Sequence, residues 1–319
     1  MEKNPRKSTA RLVTVAEDDG QRRLDNFLMG QLKGVPRSRV YRMIRGGEVR
    51  VNKGRARPDR RLMPGDEVRI PPVYTRSRAV GARSGSFDTA WIEARILYED
   101  RDLLVLNKPS GLAVHGGSGI SAGAIEVLRA ARGKQTDLEL VHRLDRDTSG
   151  CLLISKRRPA LRHLHELFRQ GEVQKRYTAL LLGTWKGGNR RVDEPLLTNR
   201  RKGGERHVSV DATGKPAFTR FIPDRTCGPA QLTTVELGTG RTHQIRVHAA
   251  FIGHPVAGDE RYGLPDDPVV RSFGLKRLFL HASSLAFDSI NGERVIRVDA
   301  PLGDDLLEVI ARLEGGAPG

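Results

Sequence analysis

The chain has 319 residues, 38% hydrophobic and 29% charged, which suits two domains or one large domain with a small appendage. Its longest apolar runs, such as Leu103 to Leu106, are too short to span a bilayer, and the polar start Met1 to Ala10 argues against a secretory signal. Two distant cysteines, Cys151 and Cys227, exclude a disulfide framework and a Cys-rich zinc site and fit a reducing cytoplasm. The net charge of +17 asks for a polyanion, with nucleic acid the default partner.

The charge is uneven. Residues 1–83 hold 21 Lys+Arg and 9 Asp+Glu, a net of +12, against +5 for the other 236 residues. A basic binding module beside a more balanced catalytic body is the expectation. Residues 1–20 read as a polar basic arm, and residues 21–72 as a small α/β module. Leu24, Phe27, Leu28 and Leu32 give one apolar helix face. After Pro36, Ser38 is placed to cap a second helix that ends at Gly46-Gly47. Val40 and Ile44 face inward on it, while Arg39, Arg42 and Arg45 form a row that is either a solvated face or a contact surface. Glu48 to Asn52, with Arg50 and then Lys53, alternates like a strand. Pro64-Gly65-Asp66 turns the chain into a further strand, Glu67 to Ile70.

Residues 73–92 read as a flexible basic linker, and residues 93–319 as the catalytic body. Strands are predicted at Leu103–Asn107, Cys151–Ser155, Arg176–Leu182, Ala217–Ile222, Leu232–Leu237, Arg277–Phe287 and Arg294–Val298. Helices are predicted at Pro159–Phe168 and Asp304–Arg312. Few βαβ alternations occur, so the fold class is α+β with a mostly antiparallel mixed sheet.

Four segments carry chemistry. Val141-His-Arg-Leu-Asp-Arg-Asp-Thr-Ser-Gly150 sets opposite charges directly before an apolar strand, where an unpaired buried charge costs several kcal/mol. A salt-bridged turn and a reactive carboxylate are both open. Asp147-Thr-Ser-Gly150 is one residue off the Asp-Thr-Gly loop of an aspartic protease, and no second copy supplies a partner Asp. A glycosidase pair of Asp145 and Asp147 would be kept ionised by the arginines around it. His163 and His165 form no HExxH metal motif. In Thr239-Gly-Arg-Thr-His-Gln-Ile-Arg-Val-His248, Arg246 can reach back to a carboxylate and hold it ionised, or face RNA. Tyr177 in Val173-Gln-Lys-Arg-Tyr177 can stack on an extruded base or be an ordinary strand aromatic. His115-Gly-Gly-Ser-Gly119 lacks the P-loop ending and is a lid or a turn.

His142-Arg-Leu-Asp-Arg-Asp-Thr-Ser-Gly150, Gly240-Arg-Thr-His-Gln-Ile-Arg-Val-His248, Asn107-Lys-Pro-Ser-Gly111 and Lys175-Arg-Tyr177, in that family's order and spacing, resemble the RluA-type pseudouridine synthases. The 21–72 module resembles the S4 RNA-binding domain, through Arg23 to Phe27, Ser38 to Arg45, Gly47 to Asn52 and Pro64-Gly65-Asp66. Gln31 to Pro36, Gly47 to Asn52 and His115 to Gly119 are most similar to the RluC branch. That branch modifies several uridines of 23S rRNA near the peptidyl-transferase centre.

The resemblance implies the following roles. Asp145 is the nucleophile on a flipped uridine, acting at base carbon 6 or at the sugar. Arg246 pairs with it and Tyr177 packs on the base. Arg143 fills the gap in the RNA, with His142, Arg241 and His243 beside the substrate. Arg39, Arg42, Arg45, Arg50 and Lys53 contact RNA. It also implies no cofactor and no metal, a monomer, and no membrane partner.

Overall fold

The computed structural model describes residues 6–7, 9–32, 35–75, 89–116, 122–133, 137–200 and 206–315. Most of the expected linker, the end of the His115 to Gly119 loop, and Lys33 and Gly34 lie outside them. The chain divides into two units, Met1–Phe87 and Asp88–Gly319.

The first unit contains β1 (Arg6–Lys7), β2 (Arg11–Thr14), α1 (Leu24–Gln31), α2 (Arg37–Arg45), β3 (Arg50–Val51), β4 (Glu67–Ile70) and β5 (Tyr74–Thr75). β2, β4 and β3 form a small antiparallel sheet, and β1 pairs with β5. Leu24, Phe27 and Leu28 of α1 close on Val40, Met43 and Ile44 of α2, as their i, i+3, i+4 spacing requires. Four details differ from the sequence-based expectation. The stretch 11–14 is a sheet strand rather than part of an arm, with Leu12 outside and the following Val15 in the core. Pro36, not Ser38, stands at the N-cap of α2. The strand after Gly47 is only two residues long, because Asn52 and Lys53 both turn left-handed, at φ 50° and 66°. Val73, placed in the linker from sequence, is buried in this core.

The second unit contains α3 (Ala90–Glu93), β6 (Ile96–Glu99), β7 (Leu103–Lys108), α4 (Ala124–Ala131), β8 (Glu139–Leu140), β9 (Ser149–Ser155), α5 (Arg158–Gln170), β10 (Gln174–Leu182), β11 (Arg190–Asp193), β12 (Leu196–Arg200) and β13 (Arg206–Val210). It continues with β14 (Phe218–Cys227), β15 (Ala230–Leu237), α6 (Gln244–Phe251), α7 (Pro268–Phe273), β16 (Leu280–Asp288), β17 (Val295–Asp299) and α8 (Asp304–Gly315). Ten strands form one sheet in the order β11-β14-β15-β10-β16-β9-β7-β6, with β17 beside β16 and β8 beside β9. Among the described residues only β9 and β16 pair in parallel, so the fold is α+β with a mixed, mostly antiparallel sheet.

The central strands are covered on both faces. Leu103, Val105, Cys151 and Leu153 pack with Leu164 and Leu167 of α5. Their alternates Leu104, Leu106, Leu152 and Ile154 pack with Ile125 and Leu128 of α4. Burial on both faces is why β7 and β9 read as continuous apolar runs rather than alternating ones.

The parallel seam fixes the middle of the sheet. Gly150 lies at φ 106° opposite Ala282, and a Cβ there would sit 2.2 Å from the Ala282 carbonyl oxygen. No side chain fits at this position. The charged segment before β9 is thereby held at the sheet centre, next to β16 and one strand from β10.

Candidate active site

Asp145 lies in the turn that leads into β9, and its carbonyl accepts the Thr148 N–H at 3.2 Å. The turn is held from beneath by Lys108, which is fully buried. Its ammonium donates to the carbonyls of Arg146 (2.9 Å), Pro109 (2.9 Å) and Leu112 (2.8 Å). Ser110 adds a bond to the Asp147 carbonyl at 2.7 Å. Burial pushes the Lys108 ammonium down to about 7, against the pull of Asp147 and Asp145. The Asn107 to Gly111 motif thus shapes the loop that carries Asp145.

A cleft opens above this turn, lined by Arg143, Asp145, Thr148, Tyr177, Arg241, His243 and Arg246 among others. Six of the seven residues expected at the substrate therefore meet here from three separate segments. The seventh, His142, does not. Its ring stacks on Phe168, with centroids 5.1 Å apart, and its Nε2 accepts the Leu153 N–H at 3.0 Å. Burial, helped by Lys175, pushes this imidazole down to about 4. His142 is a neutral structural residue that ties the loop to β9, and its assignment to the substrate is corrected.

Arg246 also differs from expectation. Its Nε and Nη2 bind Asp259 Oδ2 and Oδ1, both at 2.7 Å, in a buried bidentate pair. Burial alone would raise the Asp259 carboxyl, but the hydrogen bonds and charge of Arg246 outweigh it and hold it below the usual range. Only the third guanidinium nitrogen, Nη1, turns to Asp145, at 3.9 Å from Oδ2. The pairing expected between Arg246 and Asp145 is thus a secondary contact, and the main partner is Asp259, which sequence reading missed. Asp259 also accepts the N–H groups of Arg261 and Tyr262, so Arg246 is clamped before any substrate arrives.

The start of α6 is set by Gln244. Its amide oxygen accepts from the Thr239 hydroxyl and the Arg241 N–H, and its amide nitrogen donates to the Phe218 carbonyl and the Thr219 hydroxyl. All four hydrogen-bonding positions of this buried amide are used. His248 is buried on the same helix. Its Nε2 donates to the Glu194 carbonyl and its Nδ1 accepts from Thr219, so it is neutral and structural. His243 Nε2 stands 3.8 Å from Asp145 Oδ2. Tyr177, on β10, has its phenol pushed up by burial and by the Asp145 charge, and it remains a neutral hydroxyl over the physiological range. Arg143 is exposed, and among the described residues no side-chain partner holds it. Arg241 is anchored by its Nε to the Pro216 carbonyl at 3.0 Å.

In the first unit Arg42, Arg45 and Lys53 are exposed, as expected. Arg45 lines a basic hollow with Arg55 and Arg57, two residues not singled out from sequence. Arg39 reaches Glu48 at 3.3 Å, a half-exposed pair that leaves it available. Arg50 instead donates to the carbonyls of Gly47 and Lys53, which makes it a brace for the turn. Among the described residues no cluster of three or more His, Cys, Asp or Glu could hold a metal. No helix there is long and apolar enough to cross a membrane.

Residues 102–251 match the family described as RNA pseudouridylate synthase, and residues 22–68 match the S4 domain. A protein of Yersinia pestis named ribosomal large subunit pseudouridine synthase C is 50% identical over 96% of this chain and 96% of its own. Its namesake in Escherichia coli strain K12 is 49% identical over 96% of this chain and 97% of its own. Among solved structures, human RNA pseudouridylate synthase domain containing 4 shares the fold at TM-score 0.59 and 24% identity, covering 70% of this chain and 95% of that one.

Proposed function

The chain belongs to the RNA pseudouridylate synthase family, and from that premise we propose that it isomerises uridines of 23S ribosomal RNA near the peptidyl-transferase centre, with Asp145 as the nucleophile. Its relatives, named for the large ribosomal subunit and similar over nearly their whole length, support the substrate. The observation that supports the nucleophile is the carboxylate of Asp145, open to the cleft and faced by Arg246 and His243 on one oxygen.

The reaction breaks the bond from N1 to C1′, turns the base, and forms a bond from C5 to C1′. The C5 proton leaves and N1 gains one, so no oxidant or reductant is consumed. Arg246, already neutralised by Asp259, offers Asp145 a fixed N–H without releasing a full unpaired charge beside it. The two donors orient the carboxylate for nucleophilic attack. Tyr177 packs on the flipped base with its neutral hydroxyl. Arg143, held by no side chain among the described residues, occupies the gap in the RNA and offsets part of the few kcal/mol that unstacking costs.

The S4 unit grips folded RNA by backbone and shape through Arg39, Arg42, Arg45 and Lys53, with Arg55 and Arg57 added from the hollow beside them. The protein acts in the cytoplasm, as a monomer.

A pseudouridine map of 23S rRNA tests the substrate. Cells lacking the gene should lose pseudouridines near the peptidyl-transferase centre and regain them with the wild-type gene. An unchanged map would overturn the ribosomal substrate.

A further inference from the structure

His243 has a backbone that few side chains adopt. It sits at φ 54°, ψ 20°, in the left-handed region, at the N-cap of α6. Such a conformation in a non-glycine residue is strained and persists only where its surroundings enforce it. Gln244 enforces the turn from the C-terminal side, as described above. The imidazole is fixed from the other side by Tyr262, whose hydroxyl lies 2.9 Å from Nδ1.

That hydroxyl is itself held in place. It accepts the N–H of Val208 at 3.2 Å, from the strand β13. The guanidinium of Arg246 lies over the Tyr262 ring, 5.1 Å from its centroid. The Val208 N–H takes up one acceptor position of that oxygen, which favours the phenol as donor to His243 Nδ1. The ring then carries its own proton on Nε2, the nitrogen that faces Asp145. Burial pushes His243 down, against the charge of Asp145, so the neutral ring with one N–H is the form present near neutral pH. In that tautomer Nε2 donates and cannot accept a proton.

Asp145 Oδ2 is therefore approached by two donors, His243 Nε2 at 3.8 Å and Arg246 Nη1 at 3.9 Å. No donor among the described residues engages Oδ1. Both distances exceed a formed hydrogen bond, as is common in an empty site whose contacts tighten when substrate excludes water.

We propose that His243 is a positioning residue, locked by Tyr262 to present Nε2–H to Asp145 Oδ2, so that with Arg246 it fixes the carboxylate and leaves Oδ1 as the attacking oxygen. The proposal rests on Asp145 being the nucleophile, and its test separates the two. The Tyr262 hydroxyl acts through His243, and it ties the orientation of Asp145 to the β12–β13 hairpin by way of Val208.

The test is the single-turnover rate of the full chain at saturating RNA, using a transcript of the 23S region it modifies, with affinity measured in parallel. His243→Ala should lose about 100-fold in rate, the scale of a misplaced reacting group, with affinity within about twofold. His243→Gln, whose amide N–H can stand near the Nε2 position, should recover at least about tenfold of that loss. Tyr262→Phe should slow the reaction less than His243→Ala, and the double variant should be no slower than His243→Ala alone, because the two act in series.

A His243→Ala enzyme at the wild-type rate would overturn the proposal. So would a Gln variant no better than Ala, or additive losses in the double variant. Should His243→Ala fail to fold, the Gln variant and Tyr262→Phe still decide: both at the wild-type rate would overturn the proposal, and a partial loss in each supports it. Asp145→Asn is run beside them. If it turns over, the nucleophile reading and this proposal fall together. If it is inactive while His243→Ala is intact, only this proposal falls.

Discussion

The two units hold their arginines in opposite ways. In α2 of the first unit Arg42 and Arg45 stand exposed on the side away from a core of Val40, Met43 and Ile44. In the second unit Arg246 is buried, doubly bonded to Asp259, and lends Asp145 only its remaining edge. An exposed guanidinium is cheap to keep and can give its whole charge to a phosphate. A buried one must be matched inside the protein first, and what remains is direction rather than charge. Removing charge from the first unit should therefore weaken RNA affinity, and disturbing the second should damage the fold or the chemistry.

The largest effect should come from Gly150→Ala. A methyl group 2.2 Å from the Ala282 carbonyl oxygen, at a left-handed φ, forces β9 and β16 apart. The second unit should lose more than about 3 kcal/mol, read by chemical denaturation. A variant of normal stability would show that the seam can shift. A comparable effect should come from Asp259→Asn, which leaves Arg246 buried and uncompensated. It should cost about 3–5 kcal/mol and most of the turnover. Wild-type stability would mean that Asp145 alone can balance Arg246.

A pH effect of similar sign comes from several residues together. His142, His243, His248 and His281 are all pushed below their ordinary range, chiefly by burial. The unfolded chain then binds more protons than the folded one as pH falls below about 6.5, so the stability present above that pH is lost on acidification. For His142, which falls to about 4, the loss between those two values is about 3 kcal/mol. Denaturation curves at pH 7 and pH 5 should separate for the wild type and converge partly in His142→Gln, whose amide oxygen can still accept from Leu153.

The smallest effect on the fold belongs to the surface. Arg42→Ala with Arg45→Ala should leave stability within about 0.5 kcal/mol. It should weaken RNA binding and flatten its salt dependence by about 0.9 in log–log slope for each phosphate that is no longer neutralised. Loss of catalysis at saturating RNA would contradict the division between the units.

How much was legible in the sequence follows the same division. α1 and α2 can be read from spacing because each has one wet face, and the apolar runs of β7 and β9 announce buried strands. α6 gives no such signal. Gln244 to Ala249 are buried on every side, so no stripe separates helix from strand, and the segment reads only as a motif. The hairpin of β12 and β13 was likewise missed. Asp259 sits in an ordinary turn sequence, Ala257-Gly-Asp-Glu-Arg261, and only the fold shows that Arg246 claims it. Lys108 was visible as part of a motif. Its role was not, because one of its three carbonyl partners is supplied 38 positions away by Arg146. His142 was placed beside the substrate by the motif, yet its ring stacks on Phe168 and accepts from Leu153 while Arg143 lines the cleft. The resemblance to known motifs singled out Asp145 as the candidate carboxylate, while the physics of burial was needed to say which residues surround it.

The most direct test of this account is the single-turnover rate of Asp145→Asn on saturating 23S transcript, with its affinity for the same RNA measured alongside. The account predicts a folded protein that binds like wild type and forms no pseudouridine. Pseudouridine formed at a measurable fraction of the wild-type rate would contradict it and remove Asp145 from the centre of the chemistry.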